Sequence, residues 1–145
     1  MGLLSALVII AVVAIIVATC TKGVAGDTGY YTIGNDIIPS IGKVLGKELT
    51  VSKFESGTSG NTSAQIIAYE ATGIGQNDDI NRYVKYLQDI DGFNAITTLD
   101  FNGSHGSCVL ERNSVDTGYR IRIGITYDPD GFTLSILKQP SYQAD

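Results

Sequence analysis

The sequence predicts an α+β protein: an N-terminal transmembrane helix followed by an antiparallel sheet of five to six strands packed by one main helix. Three observations carry that prediction. Residues Gly2 to Cys20 (GLLSALVIIAVVAIIVATC) hold no charge, and about twenty helical residues at about 1.5 Å each cross a hydrocarbon core of about 30 Å. In Asp78 to Asp91, apolar Ile80, Tyr83, Val84, Leu87 and Ile90 recur at three- and four-residue spacing, the mark of a helix with one buried face. In Tyr119 to Tyr127, Tyr119, Ile121, Ile123, Ile125 and Tyr127 point one way and Arg120, Arg122, Gly124 and Thr126 the other. That strict alternation is the habit of an antiparallel strand with one wet face.

The leading segment is apolar on every face, so it is not an amphipathic surface helix, and it lacks the basic n-region of a cleaved signal peptide. Residues 1–22 are therefore read as a transmembrane or signal-anchor helix that meets membrane lipid through residues 2–20. The run Val17-Ala18-Thr19-Cys20 resembles a bacterial lipoprotein box, with Thr where Gly or Ala is usual before the Cys, and this makes Cys20 a candidate for lipidation. Lys22 is the single basic residue near the span, and the positive-inside bias on its own would keep the C-terminal domain in the cytoplasm. Residues 23–29 (GVAGDTG) read as a flexible tether. Residues 30–140 then form one domain, long enough to bury a core without staples.

Within the domain, Asp36 to Gly46 reads as a short helix with Asp36 as cap, Pro39 in the first turn and Gly46 at the end. Leu49 to Phe54 and Ala64 to Ala71 read as strands joined by a loose loop, Ser56 to Asn61. The main helix starts at Asn77 or Asp78, its acidic first turn suiting the helix dipole. Gly92 fits the left-handed position after its end, with Phe93 folding back as an apolar contact. Strands come next at Phe93 to Phe101, Ser107 to Arg112 and Tyr119 to Tyr127. Asp128-Pro-Asp-Gly131 then turns the chain into a partner strand carrying Phe132, Leu134 and Ile136.

The charge balance narrows the chemistry. A net charge of −5 with no basic cluster argues against nucleic acid. Gly73-Ile-Gly75-Gln-Asn-Asp78 sits where a phosphate loop would, yet it lacks a third Gly, and Asp78 and Asp79 would repel phosphate; it reads as a turn and cap. His105, the one histidine, lies beside Ser104 with Asp100 and Asp116 near in sequence. A triad needs three groups aligned in space, and no nucleophile elbow is present, so a hydrolase built on the His105 loop is the minor reading. Asp128 and Asp130 lack the remainder of a calcium loop, and one His with one domain Cys does not make a zinc site. Cys108 reads as a buried, inert thiol. No catalytic residue, metal or cofactor is expected. Arg120, Arg122 and Lys138 make a candidate basic strip on the wet face of the last hairpin, suited to an anionic wall polymer or a carboxylate.

Several motifs carry a resemblance. Tyr31-Thr-Ile-Gly-Asn-Asp-Ile-Ile-Pro-Ser-Ile-Gly-Lys-Val-Leu-Gly46, Tyr83-Val-Lys-Tyr-Leu87, Asp91-Gly-Phe93, Ser114-Val-Asp-Thr-Gly118 and Ile125-Thr-Tyr-Asp-Pro-Asp-Gly131 resemble a group of uncharacterised clostridial membrane-anchored or lipoprotein domains. The resemblance covers about residues 30–138 and consists of turn and core residues. It implies a Gram-positive source and an extracytoplasmic domain, against the pull of Lys22, and it brings no functional residue with it.

Two functions compete on this reading. The first is a non-enzymatic cell-envelope protein held in the cell membrane, whose domain binds a protein or a cell-wall component. The second is a pilin-like filament subunit, since an apolar leading helix before an antiparallel sheet is the pilin plan. Ser5 stands where a pilin usually has glutamate, and no amphipathic extension comes after Cys20.

Overall fold

The computed structural model describes residues 29–141. The transmembrane helix expected at 1–22, tether residues 23–28 and Cys20 lie outside the described residues. Among the described residues no helix is long and apolar enough to cross a membrane.

The α+β expectation needs correction, because the fold is mostly β. Half of the described residues lie in strands and 17% in helices. A two-stranded hairpin comes first, β1 (Tyr30–Ile33) and β2 (Asp36–Pro39), and then the short helix α1 (Ile41–Leu45). A six-stranded sheet contains β3 (Val51–Ser59), β4 (Thr62–Glu70), β5 (Asn94–Ala95), β6 (Gly106–Asn113), β7 (Tyr119–Asp128) and β8 (Gly131–Pro140). Helix α2 (Gln76–Asp89) lies between β4 and β5 in sequence. The sheet order is β3-β4-β8-β7-β6-β5, antiparallel throughout.

Two local differences shift the fold towards β, and a third works against it. The helix expected from Asp36 is split. Asp36 to Pro39 pairs with β1 in the register Ile33↔Asp36, and the helix starts only after Ser40, whose Oγ accepts the Lys43 N–H at 3.2 Å. Asp36 is not a cap because its carboxylate is engaged by Arg112 and Ser114. Gly46 does end α1, in the left-handed conformation at φ 65°. The loop expected at Ser56 to Asn61 is mostly strand: β3 and β4 stay paired up to Ser59↔Thr62, leaving Gly60 and Asn61 as the turn. Gly, Ser and Thr there suggest a loop, but cross-strand pairing decides strand formation more than intrinsic preference does. Finally, the strand expected at Phe93 to Phe101 shrinks to Asn94–Ala95. The ladder is replaced by Thr97 Oγ1 accepting the Val109 N–H at 2.9 Å, and Leu99 and Phe101 turn in against the core.

One face of the sheet carries the main core, while the opposite face buries Ala64, Val109 and Leu137. Ile121, Ile123, Ile125 and Tyr127 of β7 meet Phe132, Leu134 and Ile136 of β8, and α2 covers them with Ile80, Tyr83, Val84 and Leu87. Fully burying an aliphatic side chain of this kind contributes about 1.5–3 kcal/mol. Ile90, expected on the inner face, falls just past the helix and is exposed. Gly92 has φ 76°, and the buried Phe93 bonds back through its N–H to Leu87 O at 2.9 Å. Helix α2 begins at Gln76 without a side-chain cap. Asn77 instead ties the loop after β5, donating to Phe101 O at 2.6 Å and Gly103 O at 2.8 Å.

The first hairpin is sewn to this core by tyrosines. Tyr31 and Tyr69 share a 2.5 Å hydroxyl contact, and the Ile41 N–H donates to Tyr31 Oη at 3.2 Å. Tyr83 donates from α2 to Pro39 O at 2.9 Å. Lys47, just past α1, reaches Asp79 of α2 at 2.8 Å.

Candidate functional site: an ion cluster beside a polar cleft

The best-organised group of polar side chains grows from Asp36. The Gly34-Asn35 turn, with Gly34 at φ 59°, delivers Asp36 to the end of β6, where Ser114 to Gly118 loops across to β7. That loop is tied by its own bonds, with Ser114 N–H to Tyr119 O at 2.9 Å, Tyr119 N–H to Asp116 O at 3.2 Å, and Asp116 N–H to Ser114 Oγ at 2.9 Å. The Asp36 carboxylate is fully buried. Its Oδ1 accepts from Arg112 Nη1 and from the Val115 N–H, both at 3.0 Å. Its Oδ2 accepts a short bond from Ser114 Oγ and faces Lys138 Nζ at 3.2 Å. Burial alone would raise the Asp36 pKa. The Ser114, Val115, Arg112 and Lys138 donors outweigh it and hold the group below the usual carboxylate range.

Lys138 connects this buried pair to the surface. Its ammonium also meets Asp116 in a short ion pair and lies 5.5 Å from the centre of the Tyr119 ring. Burial pulls the Lys138 pKa down, but Asp116 and Asp36 overcome it and the net shift is upward. The Asn35 side chain donates to Asp116 Oδ1 at 2.8 Å. That bond and the Lys138 ammonium bring Asp116 down to about 2. Glycine at position 34 suits the turn's positive φ, and a Cβ there would also press on Lys138 Nζ, the far end of the lysine side chain. On the other side, Arg112 stacks 4.9 Å over the Phe93 ring and lies 3.8 Å from Asp91. Burial raises the Asp91 carboxyl above its ordinary value, with Arg112 opposing and Asp36 adding to the rise.

A cleft of about 350 Å³ opens over the Lys138 end of this cluster. Three chain reversals meet there: Asn35 from the first hairpin, Thr58, Asn61 and Ser63 from the β3–β4 hairpin, and Asp116 and Tyr119 from the β6–β7 loop. The lining offers amide and hydroxyl groups that both donate and accept, one ionised carboxylate that only accepts, and one aromatic ring. Lys138 forms its floor.

The structure divides the basic strip expected at Arg120, Arg122 and Lys138. The pairs Arg122↔Leu137 and Ile121↔Lys138 put both arginines on the sheet face away from α2 and Lys138 on the core face. The arginines bind Glu111 of β6, at 3.5 Å from Arg120 and 2.9 Å from Arg122. The hairpin register contains the signal for this. A two-residue turn pairing Asp128 with Gly131 sets Lys138 opposite Ile121, two residues on from the apolar series Phe132, Leu134, Ile136. Sequence reasoning missed Asp36, Arg112, Asn35 and Asp116 as partners, because 76 residues separate Asp36 from Arg112 and no local spacing reports such a contact.

The other sequence candidates stay apart. His105 and Ser104 are exposed and bonded to each other through Nδ1 at 2.9 Å. In a triad Nδ1 faces the acid and Nε2 the serine, so this pair has the wrong nitrogen engaged. Asp116 belongs to the ion cluster, and Asp100 Oδ1 accepts its own loop's Asn102 N–H at 3.0 Å. Asp128 Oδ1 likewise accepts the Asp130 N–H at 2.7 Å and shapes the turn. Cys108 is buried, and burial pushes its thiol up to about 12. Among the described residues, no group of three His, Cys, Asp or Glu side chains is placed to hold a metal ion.

No protein-family model, curated protein or solved structure matches this chain.

Proposed function

We propose that this chain is a non-enzymatic, membrane-anchored cell-envelope protein whose extracytoplasmic head binds a hydroxyl-rich wall glycan in the cleft over Lys138. The carrying observation is the convergence of Asn35, Asn61, Ser63, Asp116 and Tyr119 from three separate reversals on one open cleft. Sugar hydroxyls both donate and accept, and amides, hydroxyls and an ionised carboxylate answer both needs. A tyrosine ring offers an apolar face for the C–H side of a sugar. Asp116 is held in place before any ligand arrives, by Asn35 and Lys138, and such preorganisation reduces the ordering cost of binding. The anchor at residues 2–20, the outward orientation and the Gram-positive envelope rest on the sequence, through the uncharged leading segment and the clostridial resemblance.

The test uses the full chain in detergent micelles and purified peptidoglycan sacculi. Co-sedimentation is expected for the parent protein and is expected to fall at least tenfold for Asn61→Ala combined with Tyr119→Ala. Arg120→Ala, on the far face, should sediment like the parent. No sedimentation of the parent, or equal sedimentation of the cleft variant, refutes the glycan reading.

A further inference from the structure

We propose that the head pairs with a second copy of itself through the free edge of β3, forming a continuous antiparallel sheet across a twofold axis. Strand β3 ends the sheet order, and among the described residues no strand lies on its other side. The two-residue turn at Gly60 and Asn61 makes Ser59↔Thr62 the closing, hydrogen-bonded pair. Bonding then alternates along the ladder, so Lys53, Glu55 and Gly57 exchange bonds with β4. The N–H and C=O groups of Phe54, Ser56 and Thr58 point away from it. An edge carrying three successive sets of unused backbone groups is a template for another strand.

The side chains choose the partner and the register. Lys53 and Glu55 lie on the same sheet face, 3.0 Å apart. The Glu55 side chain is 5% exposed, and its Oε2 has no hydrogen-bond partner. A buried carboxylate oxygen in that state lacks a donor that pairing can supply. A twofold-related β3 fits in five ways that match outward backbone groups, and the two centred on Gly57 and Thr58 carry Lys53 past the end of the partner strand. Centring between Glu55 and its copy sets two carboxylates face to face, which is unfavourable. Centring on Ser56 leaves Lys53 opposite Ser59 and Glu55 opposite Gly57. Centring on Phe54 puts Lys53 of each copy directly opposite Glu55 of the other, in the closer, non-hydrogen-bonded positions. The strand is thus complementary to itself in one register. In this register Ser56 pairs with Ser52 of the other copy, at the irregularity between Val51 and Lys53, which closes the paired stretch at both ends.

The experiment measures the mass of the full chain in detergent micelles by light scattering, with detergent subtracted, across protein concentration. A dimer is expected. Ser56→Pro removes an outward N–H without touching a β4 bond and should leave a monomer with an unchanged circular dichroism spectrum. Lys53→Glu should weaken the dimer at least tenfold, and Lys53→Glu with Glu55→Lys should bring the dissociation constant back to within about threefold of the parent. Mixing Lys53→Glu with Glu55→Lys separates pairing from repair of the intrachain ion pair, because each chain alone carries like charges and only the mixed dimer sets opposite charges across the seam. The mixture should dimerise where neither variant does alone. A monomeric parent, a dimer indifferent to Ser56→Pro (as association through the leading segment would be), or failure of the double exchange to rescue overturns the proposal.

Discussion

Replacing Asp36 by Asn keeps the shape of the buried cluster and removes its central charge. In the parent, both oxygens of Asp36 accept: Oδ1 from Arg112 and Val115, Oδ2 from Ser114 and Lys138. Asparagine has one oxygen. Whichever way the amide turns, its NH₂ faces either the Arg112 guanidinium or the Lys138 ammonium, donor against donor, in a site with no exposure to water. Breaking a buried ion pair by removing one member costs about 3–5 kcal/mol, since the partner charge stays buried. The unfolding entropy of a domain the size of residues 29–141 is about 0.24 kcal/mol/K at roughly 2.1 cal/mol/K per residue. The melting midpoint of Asp36→Asn should therefore fall by about 12–20 °C. The assay is thermal unfolding of the full chain in micelles at pH 7, monitored by far-ultraviolet circular dichroism. Asp116→Asn is the comparison: its side chain is 31% exposed, water can take over, and its midpoint should fall by less than half as much. A fall of under about 5 °C for Asp36→Asn, or one equal to that of Asp116→Asn, would refute the view that the buried charge organises the cluster.

Three further outcomes come from the same geometry. Asp36 and Asp116 are both held below the usual carboxylate range, so their stabilisation is present above about pH 4 and is lost as pH falls through the folded values, about 2 for Asp116. Asp91, raised by burial, works the other way; an acid titration of unfolding should show net loss in the parent and a shallower slope in Asp116→Asn. Gly34→Ala should destabilise by about 1–2 kcal/mol in urea unfolding, from the positive φ and the press of the new Cβ on Lys138, and an unchanged midpoint would refute that strain. In a Cys20→Ser background, Cys108 should not react with a thiol reagent at pH 8 in the folded protein and should react fully in denaturant, because burial keeps its thiol protonated up to about 12.

Where one face of an element is buried, the residues announce it. The odd-numbered run from Ile121 to Tyr127 faces the core as the alternation demands, and Ile80, Tyr83, Val84 and Leu87 do so on α2. Elements that depend on distant partners are not legible in this way. Asp36 resembles a helix cap because caps and buried ion partners use the same residue type, and only the fold brings Arg112 to it. The Gly, Ser and Thr of Ser56 to Asn61 carry no apolar pattern, so the β3–β4 ladder there leaves no periodic trace. The charge of Lys138 points to the wet face, although the turn register places it with Ile121. The cleft is illegible for the same reason: its lining comes from three reversals that only tertiary structure assembles.

The position of the Asp36 cluster has a mechanical consequence. In a chain held by its leading segment, tension enters the head at Tyr30 and loads the first hairpin before it loads the sheet. Asp36 clamps that hairpin to the end of β6 and, through Lys138, to the closing strand, while Gln65 grips Thr32 O at 2.5 Å. Peeling the hairpin away would have to break several of these contacts together, in a place shielded from water. In a chain so held, the cluster would act as a strain-relief fitting, keeping a tug at the leading segment from unravelling the sheet beyond it.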